Sequence, residues 1–197
     1  MYKMILFLVF LFLVVVKAQD ITVEQNFEGI QSNGKKPPDP EIAVGPNHVV
    51  LTVNNRVEIY SKTGTLISGS TLSDWFSPLN QGEDPFDPKI VYDHFSGRWI
   101  IYALTKYSAL YLLSVSQSSD PTAGWYNFTF DAYKDNGTST LNHPDYTGLG
   151  FNEEAIFLCA VRSSLLTAKN KLIRFKIRGF GLLLRLTTNK VIIYNRV

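Results

Sequence analysis

Runs of four to eight apolar or alternating residues, separated by clusters of Gly, Pro, Asp, Asn and Ser, recur from residue 39 to residue 178. Lengths of that kind between turn residues predict strands, and short connections predict antiparallel neighbours. Between 87 and 131 the runs are 89–92, 98–105, 109–116 and 125–131, with turns at Asp93–Gly97, Lys106–Ser108 and Gln117–Gly124. Trp99-Ile100-Ile101-Tyr102-Ala103-Leu104 is apolar almost throughout, as an inner strand buried on both faces must be. Upstream, 48–53 and 56–60 flank Asn54-Asn55, where Asn tolerates the positive φ of a hairpin turn. Thr63-Gly64 then turns the chain into 65–68. Downstream, 155–162 is apolar, Ala168-Lys169-Asn170 reads as a turn, and Ile173–Arg178 alternates strictly. Each unit is a β-meander.

The three units share a motif. Asp39-Pro40-Glu41-Ile42-Ala43-Val44-Gly45, Asp87-Pro88-Lys89-Ile90-Val91-Tyr92-Asp93 and Pro144-Asp145-Tyr146-Thr147-Gly148-Leu149-Gly150 each precede a turn and an apolar strand. Aligned on Gly45, Asp93 and Gly150 they stand 48 and 57 residues apart, near the ~40–50-residue length of a four-stranded propeller blade. The expected fold is all-β: about three antiparallel four-stranded meander blades of a β-propeller. A ring typically closes with 4–8 blades, so this one is incomplete, either a smaller open assembly or a piece of a longer propeller. A two-sheet sandwich of the same strands is the alternative.

The first segment reads as targeting. Lys3 precedes an unbroken apolar run over 4–16, followed by Lys17-Ala18-Gln19-Asp20. That is a basic start, a short apolar stretch and a small residue at a cleavage position, and the run falls short of the ~20 residues a membrane span needs. The expected organisation is a signal peptide over 1–18, a linker over 19–36, repeats over 37–160 and a basic segment over 161–197; an uncleaved anchor is the alternative for 1–18. A secreted chain gives meaning to two sequons, Asn127-Phe128-Thr129 and Asn136-Gly137-Thr138. Asn127 must point outward to accept a glycan, and Asn136 sits in an exposed turn. The single Cys159 lies in the apolar stretch 155–160 and reads as a buried inert thiol rather than an intermolecular disulfide.

Charge changes the picture at the C-terminal end. All 17 acidic residues lie between Asp20 and Glu154, against 8 Lys/Arg from Gln19 to Ala160. From Val161 to Val197 there are 9 Lys/Arg and no acidic residue, which asks for an explanation. Three readings stand: a tail that binds acidic glycans or a membrane surface, strands that pair electrostatically with the acidic repeats, or an ending that is not native to the domain. The net charge of +2 carries no nucleic-acid signature.

Four segments, 42–50 (IAVGPNHVV), 87–99 (DPKIVYDHFSGRW), 113–125 (LSVSQSSDPTAGW) and 143–150 (HPDYTGLG), resemble secreted β-propeller repeat proteins known from bacterial extracellular and adhesin-like proteins. The resemblance covers about 37–160 and implies a propeller exposed outside the cell, with no agreed catalytic set. Ser118-Ser119-Asp120-Pro121-Thr122-Ala123-Gly124-Trp125 also resembles a distant Asp-box, the turn of sialidase-type propellers, with Thr122 where Gly is expected. Its physics is structural: a carboxylate accepts backbone N–H groups while Trp packs below.

Candidate chemistry is sparse. A sialidase needs several Arg to clamp a carboxylate, and before the basic segment there are only Arg56 and Arg98. Glu153-Glu154 are adjacent, so on a strand they would face opposite ways. His48, His94 and His143 read as ordinary loop histidines, and Asp84, Asp87, Asp93, Asp120 and Asp145 offer calcium a weak case without any EF-hand spacing. The expectation is a secreted, non-catalytic module that binds a glycan or protein outside the cell, with no cofactor and no nucleic acid. The alternatives are a sialidase-like glycoside hydrolase, or a matrix or adhesion repeat without a small ligand. Tyr92, Trp99, Tyr107, Trp125 and Tyr146 are the candidate binding residues, and Asp87, Asp120 and Asp145 the structural turn residues.

Overall fold

Turn chemistry and alternation act here as expected of antiparallel meanders. In the computed structural model, which describes residues 22–32, 34–79, 81–135, 138–139, 143–163 and 168–175, the first sheet runs in chain order: β1 (Glu41–Val44), β2 (His48–Val53), β3 (Arg56–Ser61) and β4 (Leu66–Thr71). Val53 pairs with Arg56 across Asn54-Asn55, and Asn55 takes φ 72°. A short helix, α1 (Leu72–Trp75), and a 3₁₀ turn, Ser77–Leu79, lead onward. Thr71 caps the helix by accepting the Asp74 N–H at 3.0 Å, and Leu72 and Phe76 are fully buried. Nothing in the strand periodicity announced this helix.

The second sheet is β5 (Phe86–Asp93), β6 (Arg98–Leu104), β7 (Leu110–Ser116) and β8 (Trp125–Asp131), again in order. A small ribbon pairs β9 (Lys134–Asp135) with β10 (Thr138–Ser139). The third sheet is β11 (His143–Phe151), β12 (Ile156–Ser163) and β13 (Ala168–Phe175). The described fold is thus all-β with antiparallel sheets, none of which closes into a ring among the described residues. The boundary drawn at 160 falls inside β12, and Ala168–Asn170, read as a turn, belongs to β13. The leader over 1–18 and the positions beyond Phe175 lie outside the described residues.

β5 lies beside β1 and β2 on one side and beside β11 on the other. The middle sheet is therefore buried on both faces, in three layers rather than the two of a sandwich. Trp99, Ile101, Ala103 and Leu112 point into one core with Val50, Val57, Ile59, Leu72 and Phe76. The alternate residues Ile100, Tyr102, Leu104, Tyr111 and Leu113 point into a second core with Ile156, Leu158 and Ala160. This explains the unbroken apolar run 99–104, because period-2 alternation needs one wet face. That run is β6, an interior strand of its sheet and buried on both faces, as expected.

Facing directions also correct the repeat. Each leading strand carries one left-handed residue near its start: Asp39 (φ 44°) just ahead of β1, Asp87 (φ 49°) within β5 and Tyr146 (φ 50°) within β11. These stand 48 and 59 residues apart, so Gly45 and Asp93 correspond to Asn152 rather than to Gly150. The second and third of these residues sit at β-bulges, one between Phe86 and Lys89 and one between Asp145 and Thr147.

The first two sheets meet most tightly where Trp99 lies on Gly45: a Cβ at Gly45 would stand 2.4 Å from the indole Cζ2. Trp99 has no exposed surface, and its Nε1 donates to the Ser119 carbonyl at 2.9 Å. Trp99→Ala is expected to cost about 3–5 kcal/mol in chemical denaturation, the scale for losing a large buried aromatic. Gly45→Val should destabilise as well, by forcing the two sheets apart.

Candidate functional site

Glu83 lies in the segment that leads into β5, and its carboxylate reaches across to the turn between β6 and β7. Its oxygens accept the N–H groups of Lys106 (3.2 Å), Tyr107 (3.0 Å) and Ser108 (2.6 Å), and the Ser108 hydroxyl. Burial pushes the Glu83 carboxyl up, but the Ser108 hydroxyl and those three N–H groups outweigh it and hold the pKa below its ordinary value. The result is a fixed turn that presents Tyr107 to solvent.

A second polar cluster ties the leading ends of the three sheets together. Asn54 donates its amide to Asp39 Oδ2 at 2.5 Å and to the Pro37 carbonyl at 2.8 Å, and accepts the Asp87 N–H at 2.7 Å. Asp87 Oδ2 accepts the Tyr146 N–H at 2.9 Å, which Asp145 Oδ1 shares at 3.0 Å. The Thr147 hydroxyl donates to the Asp87 carbonyl at 2.6 Å. Lys89 and Glu41, neighbours on β5 and β1, form an ion pair beside them. Burial, followed by the charges of Asp39 and Asp145, pushes the Asp87 carboxyl up from 3.8 to about 6 against the pull of the Tyr146 N–H.

Between these clusters lies an open groove of about 650 Å³. Its walls carry Asp39, Glu83, Asp84, Asp87 and Asp145 against Lys35, Lys36 and Lys106, so carboxylates outnumber ammonium groups. Tyr107 and Tyr146 stand at its margins, 76% and 73% exposed. Lys106 and Lys89 lie 5.8 and 5.9 Å from the centres of the Tyr107 and Tyr146 rings.

The five candidate aromatics therefore divide. Tyr107 and Tyr146 share the groove. Trp99 is core, Tyr92 is half-buried against it at 4.8 Å, and Trp125 packs edge-on against Trp75 at 4.9 Å while donating to the Pro121 carbonyl. The three candidate turn carboxylates also separate. Asp87 and Asp145 belong to the groove, whereas Asp120 serves its own loop by accepting the Thr122 hydroxyl and N–H at 2.7 and 2.9 Å. The Thr122 hydroxyl, then its N–H, hold the Asp120 pKa below the ordinary value. Glu83 and Asn54 are the residues that sequence reasoning missed; each acts through a turn distant in sequence, which no local spacing encodes.

The remaining candidates are dispersed. His94 stacks on Phe95, His143 Nδ1 lies within hydrogen-bond distance of the Tyr133 hydroxyl and of the Lys106 carbonyl, to which it can only donate, and His48 is separate from both. No group of three or more His, Cys, Asp or Glu side chains placed to hold a metal ion occurs among the described residues. Arg56 binds Glu58 and Arg98 the Ser116 carbonyl, which places neither in the groove. Asn127 turns inward: its amide donates to the Trp75 carbonyl at 2.8 Å, so the nitrogen that would carry a glycan is occupied. Asn136 lies outside the described residues. Cys159 is half-buried, its Sγ 2.4 Å from where a Cβ on Gly148 would stand. No helix among the described residues is long and apolar enough to cross a membrane. Comparison of the chain with protein-family models, curated proteins and solved structures finds no match.

A carboxyl whose folded pKa is raised stays protonated in the folded chain while the unfolded chain ionises. Folding stability contributed at Asp87 therefore falls as pH rises from about 4 to about 6 and stays reduced above that. Asp87→Asn removes the titration and keeps an acceptor for Tyr146. Thermal melts of the two proteins from pH 3.5 to 7.5 should show the variant gaining on the wild type through that window.

Proposed function

We propose that this chain is a non-catalytic, extracellular module of β-propeller type that binds a glycan in the groove between Tyr107 and Tyr146. The observation that carries this reading is the pairing of two solvent-facing aromatic rings with a floor of carboxylates. A pyranose ring has an apolar C–H face that stacks on an aromatic side chain, and hydroxyl groups that donate to carboxylate oxygens. Tyrosines spent in this way cost apolar exposure that folding alone does not require. The propeller reading draws support from consecutive four-stranded meanders whose leading strands lie side by side. The extracellular reading draws support from the leader-like run over 4–16.

One observation favours a hydrolase as the second reading. Asp87, pushed up to about 6 beside Asp39 and Asp145, has the protonation behaviour of a general acid. Against it, Asp87 is committed to backbone partners on two sides, and the described residues of the groove include no Arg to clamp a sialic carboxylate. A matrix or adhesion repeat without a small ligand would leave the groove without a binding role.

A glycan array, followed by calorimetry on the best hit, separates these readings. Tyr146→Ala and Tyr107→Ala should each weaken binding at least ~tenfold, about 1.4 kcal/mol, while melting temperatures stay close to wild type because both rings are exposed. Turnover of fluorogenic glycosides that disappears in Asp87→Asn would establish the hydrolase instead. Binding that survives both tyrosine substitutions would remove the groove from the argument.

A further inference from the structure

Neighbouring sheets in this chain meet by a single rule, applied twice. The leading strand of the following sheet turns larger side chains toward smaller ones on the sheet before it. Ile90 and Tyr92 of β5 pack into the core that holds Ala43 of β1, and Leu149 of β11 packs into the core that holds Val91 of β5. Extended outward, the rule leaves a matched pair of surfaces that stand uncovered among the described residues. Ile42 and Val44 occupy on β1 the places of Ile90 and Tyr92 on β5, yet they are 61% and 54% exposed. Gly150 occupies on β11 the place of Ala43 and Val91, and no described residue lies within 4 Å of where its Cβ would stand. The N-terminal segment covers only the outer part of the first sheet, with Phe27 on Tyr60 at 5.4 Å.

We propose that a second copy of this chain occupies these surfaces, its Ile42 and Val44 seated on the Gly150 face and the reverse contact made on the other side. The inference rests on the stacking of the sheets and not on what the groove binds. Two copies supply six sheets, within the 4–8 that close a propeller ring, and a two-fold arrangement uses both surfaces of both chains. Charge favours the same pairing. The third sheet ends in β13, with Lys169, Lys171 and Arg174 and no acidic residue, whereas the exposed segment ahead of the first sheet carries Glu24 and Glu28.

Sedimentation equilibrium on the full chain from a secretory host, at micromolar concentration, tests this. The expected mass is twice that of the chain as read by mass spectrometry. Ile42→Asp and Gly150→Phe should each shift the dissociation constant upward by at least tenfold, with circular dichroism spectra and melting curves of a folded chain. Mixed together, the two variants retain one intact contact and should associate more tightly than either does alone. A monomeric wild type, a ladder of higher masses, or a dimer indifferent to both substitutions would overturn the proposal.

Discussion

The indole of Trp99 rests on the backbone of Gly45, and the rest of the chain is arranged around the sheet to which that indole belongs. A sheet of four strands with no wet face cannot be stable alone; it must be covered on both sides at once. The first sheet and α1 supply one cover, and the third sheet supplies the other. Glycine at 45 is what brings the leading strands close enough for the first cover to seal. Ser114 and Ser116, buried within β7, are satisfied from the covering side and from their own sheet: Ser114 receives the Trp75 indole N–H, and Ser116 receives the Trp99 N–H.

Where the sheets meet at their leading ends the adhesive changes from apolar packing to hydrogen bonds. Asp39, Asn54, Asp87 and Thr147 form a connected set that spans all three sheets. Asp39, Asn54 and Asp87 also line the groove, so fold and site share the same side chains. That sharing has a cost: three carboxylates are held near one another and Asp87 gives up easy ionisation. At Glu83 burial is offset instead, because the Ser108 hydroxyl and three convergent N–H groups stabilise the ionised carboxylate.

Three strands of the middle sheet were legible from sequence to within a residue, because turn residues bracket them and the apolar run 99–104 leaves little choice; β5 was read as 89–92 and starts three residues earlier, ahead of its bulge. Asn54-Asn55 and Thr63-Gly64 were equally legible, since φ > 0 is a local demand. The repeat was visible, but its third member was misaligned by two residues, because the left-handed residue near the start of each leading strand is Asp in the first two units and Tyr146 in the third, where no residue type announces it. The groove was only half visible. Tyr107 and Tyr146 could be named as aromatics in turns, but so could Trp99 and Trp125, and only the layering of sheets shows which rings are buried. Asn127 illustrates the same limit: its sequon is local, whereas the Trp75 carbonyl that holds its amide lies on another element.

Every sheet is assembled from strands contiguous in the chain, and the sheets follow one another in order. A ribosome delivering ~5–20 residues per second releases the first sheet whole, then the second, before any part of the third can pair. For a few seconds Ile100, Tyr102 and Leu104 have no cover at all. The chain in that interval is a half-roofed structure whose stickiest surface faces outward, and it is then that a chaperone has most to do.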